Sequence, residues 1–120
     1  MKQRIEIDYF AKQLFETCAY LFKTFYYPIL MSWDFKKLKY VYRSKSEYYV
    51  EFEVSGFKYK GKIQIHYNLG SDTFRIKLLD NSLIKEVEEV YLSELIPILD
   101  NIIEVTDDYN NDIKNWLDNN

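Results

Sequence analysis

Apolar and polar residues alternate most regularly between Glu47 and Tyr67. Tyr48, Val50, Phe52 and Val54 fall on every second residue of one arm. Phe57, Tyr59, Ile63, Ile65 and Tyr67 do so on the next. That period is the signature of strands with one buried face. Ser55-Gly56 between the arms reads as a two-residue hairpin connection, with glycine free to take a positive φ. The same period predicts a strand over 37–43, with Leu38, Tyr40 and Tyr42 inward. A further strand follows over 73–79, with Phe74, Ile76 and Leu78 inward, and a weaker one over 84–91. Asn68-Leu69-Gly70-Ser71-Asp72 and Asp80-Asn81-Ser82 are turn chemistry.

On either side of the strands the period lengthens to that of a helix. Ile7, Phe10, Leu14, Cys18, Leu21, Phe22 and Phe25 recur at three- and four-residue spacing and predict a helix over 8–27, with Asp8 at its N-cap and Pro28 ending it. Ile29 to Phe35 is a connector whose Trp33 and Phe35 tuck under the sheet. A helix over 93–105 buries Leu95, Ile98, Leu99, Ile102 and Ile103, with Ser93 as its cap and Pro97 in its first turn. Tyr109, Ile113, Trp116 and Leu117 share a face of a last helix over 108–118. The expectation is one α+β domain over residues 1–120. It is a five-stranded antiparallel meander with an N-terminal helix and one or two C-terminal helices packed on one face.

Turn lengths then set a register. A two-residue turn at 55–56 pairs Phe52 with Tyr59, Glu51 with Lys60, Val50 with Gly61 and Tyr49 with Lys62. A three-residue loop at 44–46 pairs Val41 with Tyr49 and Lys39 with Glu51. Pairing Ile65 with Phe74 sets Gln64 by Arg75, and a turn at 80–83 sets Lys77 by Glu86 and Arg75 by Glu88. The outward face is striped in this register. Lys37, Lys39 and Arg43 are followed by Glu47, Glu51 and Glu53, then by Lys58, Lys60, Lys62, Arg75 and Lys77, and last by Glu86 and Glu88. Cross-strand charge pairs of this kind contribute about 0.2–1 kcal/mol each.

Charge sharpens the picture because it is unevenly placed. Residues 1–79 hold fourteen Lys/Arg against eight Asp/Glu, and residues 80–120 hold two against eleven. The acids Glu94, Asp100, Glu104, Asp107, Asp108 and Asp112 sit on helices whose other faces are apolar, which suits docking to a basic protein surface. The leading expectation is a non-enzymatic protein-binding accessory module. Its role would be regulator or inhibitor of a larger nucleic-acid-handling complex, of the kind phages and mobile elements encode. The alternative is nucleic-acid binding by the sheet face through Tyr49, Lys58, Lys60, Lys62, Arg75 and Lys77. A homodimer through the sheet edges is a further expectation.

Candidate chemistry is thin. His66 is the one histidine and Cys18 the one cysteine, and the two fall on opposite sides of the sheet. A Cys–His pair, a histidine metal cluster and a disulfide within the chain are therefore excluded. Gly56, Gly61 and Gly70 are isolated, so neither nucleotide fingerprint occurs. Asp108-Tyr109-Asn110-Asn111-Asp112 places oxygen ligands at alternate positions, as a calcium loop does. Ile113 and Asn119 stand where the glycine and the bidentate glutamate belong. No cofactor and no metal are expected. The longest run without a charged residue, Thr24 to Trp33, has ten residues, against about 20 needed to span a bilayer. A cytoplasmic protein is the expectation. No motif is specific enough to carry a resemblance to a known family.

Overall fold

The computed structural model describes residues 8–27, 29–80 and 82–104. Helix α1 (Tyr9–Phe25) leads through a 3-10 turn at Leu30–Trp33 into five strands: β1 (Lys36–Ser44), β2 (Glu47–Ser55), β3 (Lys60–Asn68), β4 (Thr73–Asp80) and β5 (Ser82–Val90). A second 3-10 turn, Leu92–Glu94, opens helix α2 (Leu95–Ile103). The strands form one antiparallel sheet in chain order. The α+β meander expected from the periodicity is the architecture observed. The expected helix over 108–118 lies outside the described residues, as do Asp107, Asp108 and Asp112. Among the described residues no helix is long and apolar enough to cross a membrane.

The core lies between the helices and the even-numbered side of β2 together with its partners. Tyr48, Val50, Phe52 and Val54 from β2 meet Ile63 and Ile65 from β3 and Phe74, Ile76 and Leu78 from β4. Helix α1 lies across β2 and β3 and buries Ala11, Leu14, Cys18 and Phe22, a stripe one or two turns apart. Phe10, expected on that stripe, is exposed at its edge. Helix α2 buries Leu95, Ile96, Leu99 and Ile103. Its start is held by Glu94, whose Oε1 accepts the Tyr91 N–H at 3.2 Å, and not by Ser93. Asp8 occupies the N-cap of α1 without a side-chain capping bond.

Two registers differ from expectation, each by an even number of residues. Phe52 pairs with Ile63 and Glu51 with Gln64, so β3 is displaced four residues from the tight-turn register; Ile65 pairs with Ile76, a displacement of two. An even displacement preserves which face each side chain takes, so the core face survives intact. The four-residue shift has a tertiary cause. Residues 56–59 form a loop closed by Gly56 N donating to Tyr59 O at 2.9 Å, and the end of α2 is clamped onto it. The Ile103 carbonyl accepts from Lys58 N at 2.9 Å and Tyr59 N at 3.3 Å. A Cβ at Gly56 would collide with both Ile103 Cγ2 and Ile103 O, so glycine is needed here for close approach.

Gly61 faces Val54 and not Val50, and what it makes room for is the Tyr59 side chain. A Cβ there would meet Tyr59 Oη at 2.7 Å. The Tyr59 hydroxyl lies over the strand and shares its one proton between the carbonyls of Lys62 and Leu79, both at 3.0 Å. Both sheet edges are interrupted. Lys37 on β1 (φ 56°) and Glu89 on β5 (φ 55°) take left-handed conformations where the pairing register shifts. Such bulges twist an edge strand away from further pairing.

Candidate interaction surfaces

The outward face of the sheet carries the charge stripes; the β2–β3 shift brings Lys62 to Glu51, while the β1–β2 ladder keeps its expected alignment over Lys39–Val41. Lys37 Nζ stands 3.2 Å from Glu53, Lys62 Nζ 3.9 Å from Glu51, Arg43 Nε 3.9 Å from Glu47 and Arg75 3.5 Å from Glu86. Lys77 stands opposite Glu86, as expected. Arg75 is aligned with His66, and bulging between Phe74 and Ile76 removes the expected Arg75–Glu88 pairing. Lys60 opens β3 opposite Ser55 and is exposed. Lys58 leaves the face altogether. It belongs to the 56–59 loop, where its Nζ donates to Asn101 O at 3.3 Å. The sheet-face set of Tyr49, Lys58, Lys60, Lys62, Arg75 and Lys77 is therefore not one contiguous stripe.

At the centre of this face the side chains are connected in a way charge alone does not predict. Gln64 Nε2 donates to Glu51 Oε1 at 2.9 Å, and His66 Nε2 lies 3.0 Å from Gln64 Oε1. With Gln64 oriented by Glu51, the imidazole carries its proton on Nε2. The ring of Tyr49 packs on His66, centroids 4.9 Å apart. His66 is buried among these neighbours, and its pKa falls to about 4, first by desolvation and then by the nearby Lys77 and Arg75 charges. Tyr49 is the one Phe, Tyr or Trp on the outward face of the described strands; it is only 8 % exposed, and its ring packs against His66. A base could not stack there without displacing the imidazole.

The acidic set is dispersed too. Glu94 is exposed and engaged with the Tyr91 N–H. Asp100 accepts the indole N–H of the fully buried Trp33 at 2.9 Å, tying α2 to the turn that follows α1. Glu104 is 2 % exposed and faces the protein, not the solvent. Its Oε2 accepts the Phe57 N–H at 3.4 Å, and among the described residues Oε1 has no hydrogen-bond partner. Burial pushes its carboxyl pKa up, the Phe57 bond offsets part of the rise, and the Asp100 charge adds to it. The reason Glu104 departs from expectation is the clamp: closing α2 onto the loop carries the residue after Ile103 inside.

The surface that the periodicity missed lies along one flank of α1. Helices α1 and α2 both bury apolar residues in the core shared with the sheet. Two cavities of about 320 Å³ each open along this flank, one between the first half of α1 and the ends of β3 and β4, the other between the second half of α1 and α2. One is walled by Tyr9, Phe10 and Leu14 of α1 against Phe74 and Leu92. The other is walled by Leu21, Phe25 and Ile29 against Leu92, Ile96 and Pro97. Leu92, 50 % exposed, separates them. Among the described residues the charged side chains lining this trench are both acidic, Asp72 in the first cavity and Asp100 in the second. Asp72 accepts the Tyr67 hydroxyl, which helps push that phenol up to about 12. No sequence signal marked the trench: periodicity gave Phe10 to the buried stripe of α1, and only the structure leaves it and Leu92 exposed. Cys18 is fully buried, and desolvation pushes its thiol to about 12, so it stays a protonated, unreactive packing group. No protein-family model matches this chain, and neither does any curated protein or any solved structure.

Proposed function

We propose that this chain is a non-enzymatic protein-binding module that docks an apolar segment bearing Lys or Arg into the trench along the flank of α1. The observation that carries the reading is the trench itself: apolar walls, exposed Phe10 and Leu92 at its rim, and carboxylates as its described charges. Apolar surface left in contact with water at a concave site is favourable to cover, about 1.5–3 kcal/mol for each Leu-sized side chain fully buried. Cations at Asp72 and Asp100 would select the partner and speed its approach. The acidic balance of residues 80–120 supports a basic partner in the same sense, and regulation of a nucleic-acid-handling complex is the role that such a partner fits.

The test places a photo-reactive amino acid at Gln13, on the trench wall, and cross-links in cells of the source organism. The expected result is one discrete protein adduct, lost when Leu92→Asp is added and kept when Lys62→Glu and Lys77→Glu are added. An adduct insensitive to Leu92→Asp overturns the reading. So does retardation of an oligonucleotide at low salt that Lys60→Glu and Lys62→Glu abolish, because that places the function on the sheet face.

A further inference from the structure

Resting on that reading, we infer the form of the occupant: a single amphipathic helix of the partner, with two apolar anchors about three turns apart and a cation beside each. The walls of the trench decide between helix and extended chain. They are α1, α2 and the turn before α2, whose backbone groups are largely spent on internal hydrogen bonds, together with Tyr67 and Phe74 of β3 and β4, interior strands paired on both sides. An extended peptide gains its affinity from unpaired main-chain donors and acceptors along a sheet edge, and the trench has no strand edge to offer. Its own backbone would be buried without partners, at a cost comparable to losing those bonds. A helix brings its backbone already satisfied.

Spacing follows from α1. Leu14 of α1 lines the first cavity and Phe25 the second. Eleven residues at a rise of about 1.5 Å each set the two holes about 17 Å apart along α1. On a partner helix lying alongside, eleven residues are close to three full turns, so anchors at i and i+11 share a face. Leu92 stands between the holes and calls for a small residue at i+4 and i+7. Asp72 and Asp100 lie one in each cavity, so Lys or Arg is expected near both ends. Seated this way, the partner helix would become the third member of the helical layer over the sheet.

The probe is a capped, Ala-rich 18-residue peptide with Leu at positions 4 and 15, Ala at 8 and 11, and Arg flanking each Leu. Its controls move the second Leu to position 9, replace positions 9 and 10 with Pro, or exchange Arg for Glu. Binding to the full chain is read by fluorescence anisotropy and located by amide chemical shifts. The probe is expected to bind in the micromolar range. Each control, and Leu92→Asp in a chain whose amide spectrum remains dispersed, should weaken it at least tenfold. Asp72→Asn and Asp100→Asn keep the acceptors for Tyr67 and Trp33, and each should weaken it several-fold with a shallower salt dependence.

The proline control binding as well as the probe, shifts confined to the sheet face, or no binding by any peptide overturns the helical occupant. The protein-docking reading is judged separately, by the Gln13 adduct. An intramolecular adduct between Gln13 and residues 105–120 overturns both.

Discussion

Glu104 should make this protein less stable at neutral pH than its amide counterpart, and the reason is the clamp between α2 and the 56–59 loop. The carboxylate is 2 % exposed, holds one long bond from Phe57 N at 3.4 Å, and leaves Oε1 without a hydrogen bond to any described residue. A buried acceptor left unsatisfied costs about 1–3 kcal/mol, and more when it is charged. Glu104→Gln keeps an oxygen for Phe57 N and removes the charge, although its NH₂ group inherits an unpaired site. The net gain is therefore set near the low end, about 1 kcal/mol at pH 7.

The pH dependence supplies the sharper signature. Burial raises the folded-state pKa of Glu104 above its ordinary 4.5. Between those two values the folded state holds the proton that the unfolded state has lost, so wild-type stability falls as pH rises through the window. Below the ordinary value both states are protonated and the penalty is absent. Urea unfolding at pH 7 and pH 4 reads this directly. With a slope of about 1–2 kcal/mol per molar, the variant's midpoint should exceed wild type by about 0.5–1 M at pH 7. The two should converge at pH 4. A difference of the same size at both pH values, or a variant less stable at pH 7, refutes the account of Glu104 as an under-compensated buried charge.

Gly61→Ala places a methyl against Tyr59 Oη at a backbone φ of +153° and should cost about 2–4 kcal/mol by chemical denaturation. In a Tyr59→Phe background the penalty should drop by about 1 kcal/mol, because the clashing oxygen is gone while the backbone strain stays. His66 should titrate near pH 4 by NMR. Its pKa is lowered, so it opposes Glu104: its contribution to stability is complete above about pH 6.5 and is lost as pH falls toward 4. A His66 midpoint above 6 would mean that the Tyr49–His66–Gln64 contact is not formed. Cys18 should resist a thiol reagent in the native protein and react fully in denaturant, and native labelling within minutes would contradict its burial beneath α1.

What the chain determined locally was the set of elements and the face each side chain takes. Alternation marks Tyr48 through Val54 and Ile63 through Tyr67 as one-sided, and a side chain's face depends only on the parity of its position. Parity survived even though the β2–β3 register slid by four and the β3–β4 register by two. The slide itself was not legible, because it is set by a contact of long sequence separation. Ser55-Gly56 read alone is a tight turn; with Ile103 seated against Gly56, it becomes the start of a wider loop. The same contact turned Glu104 from a solvated helix position into a buried one. It also took Lys58 off the sheet face, and the shortfall in the expected basic stripe follows from it. The trench was beyond local reading for a related reason. Periodicity shows which stripe of a helix is buried, but not how far apart two helices come to rest on a sheet. That spacing, which leaves Phe10 and Leu92 exposed, is decided only when α1 seats across β2 and β3 and the end of α2 closes onto the 56–59 loop.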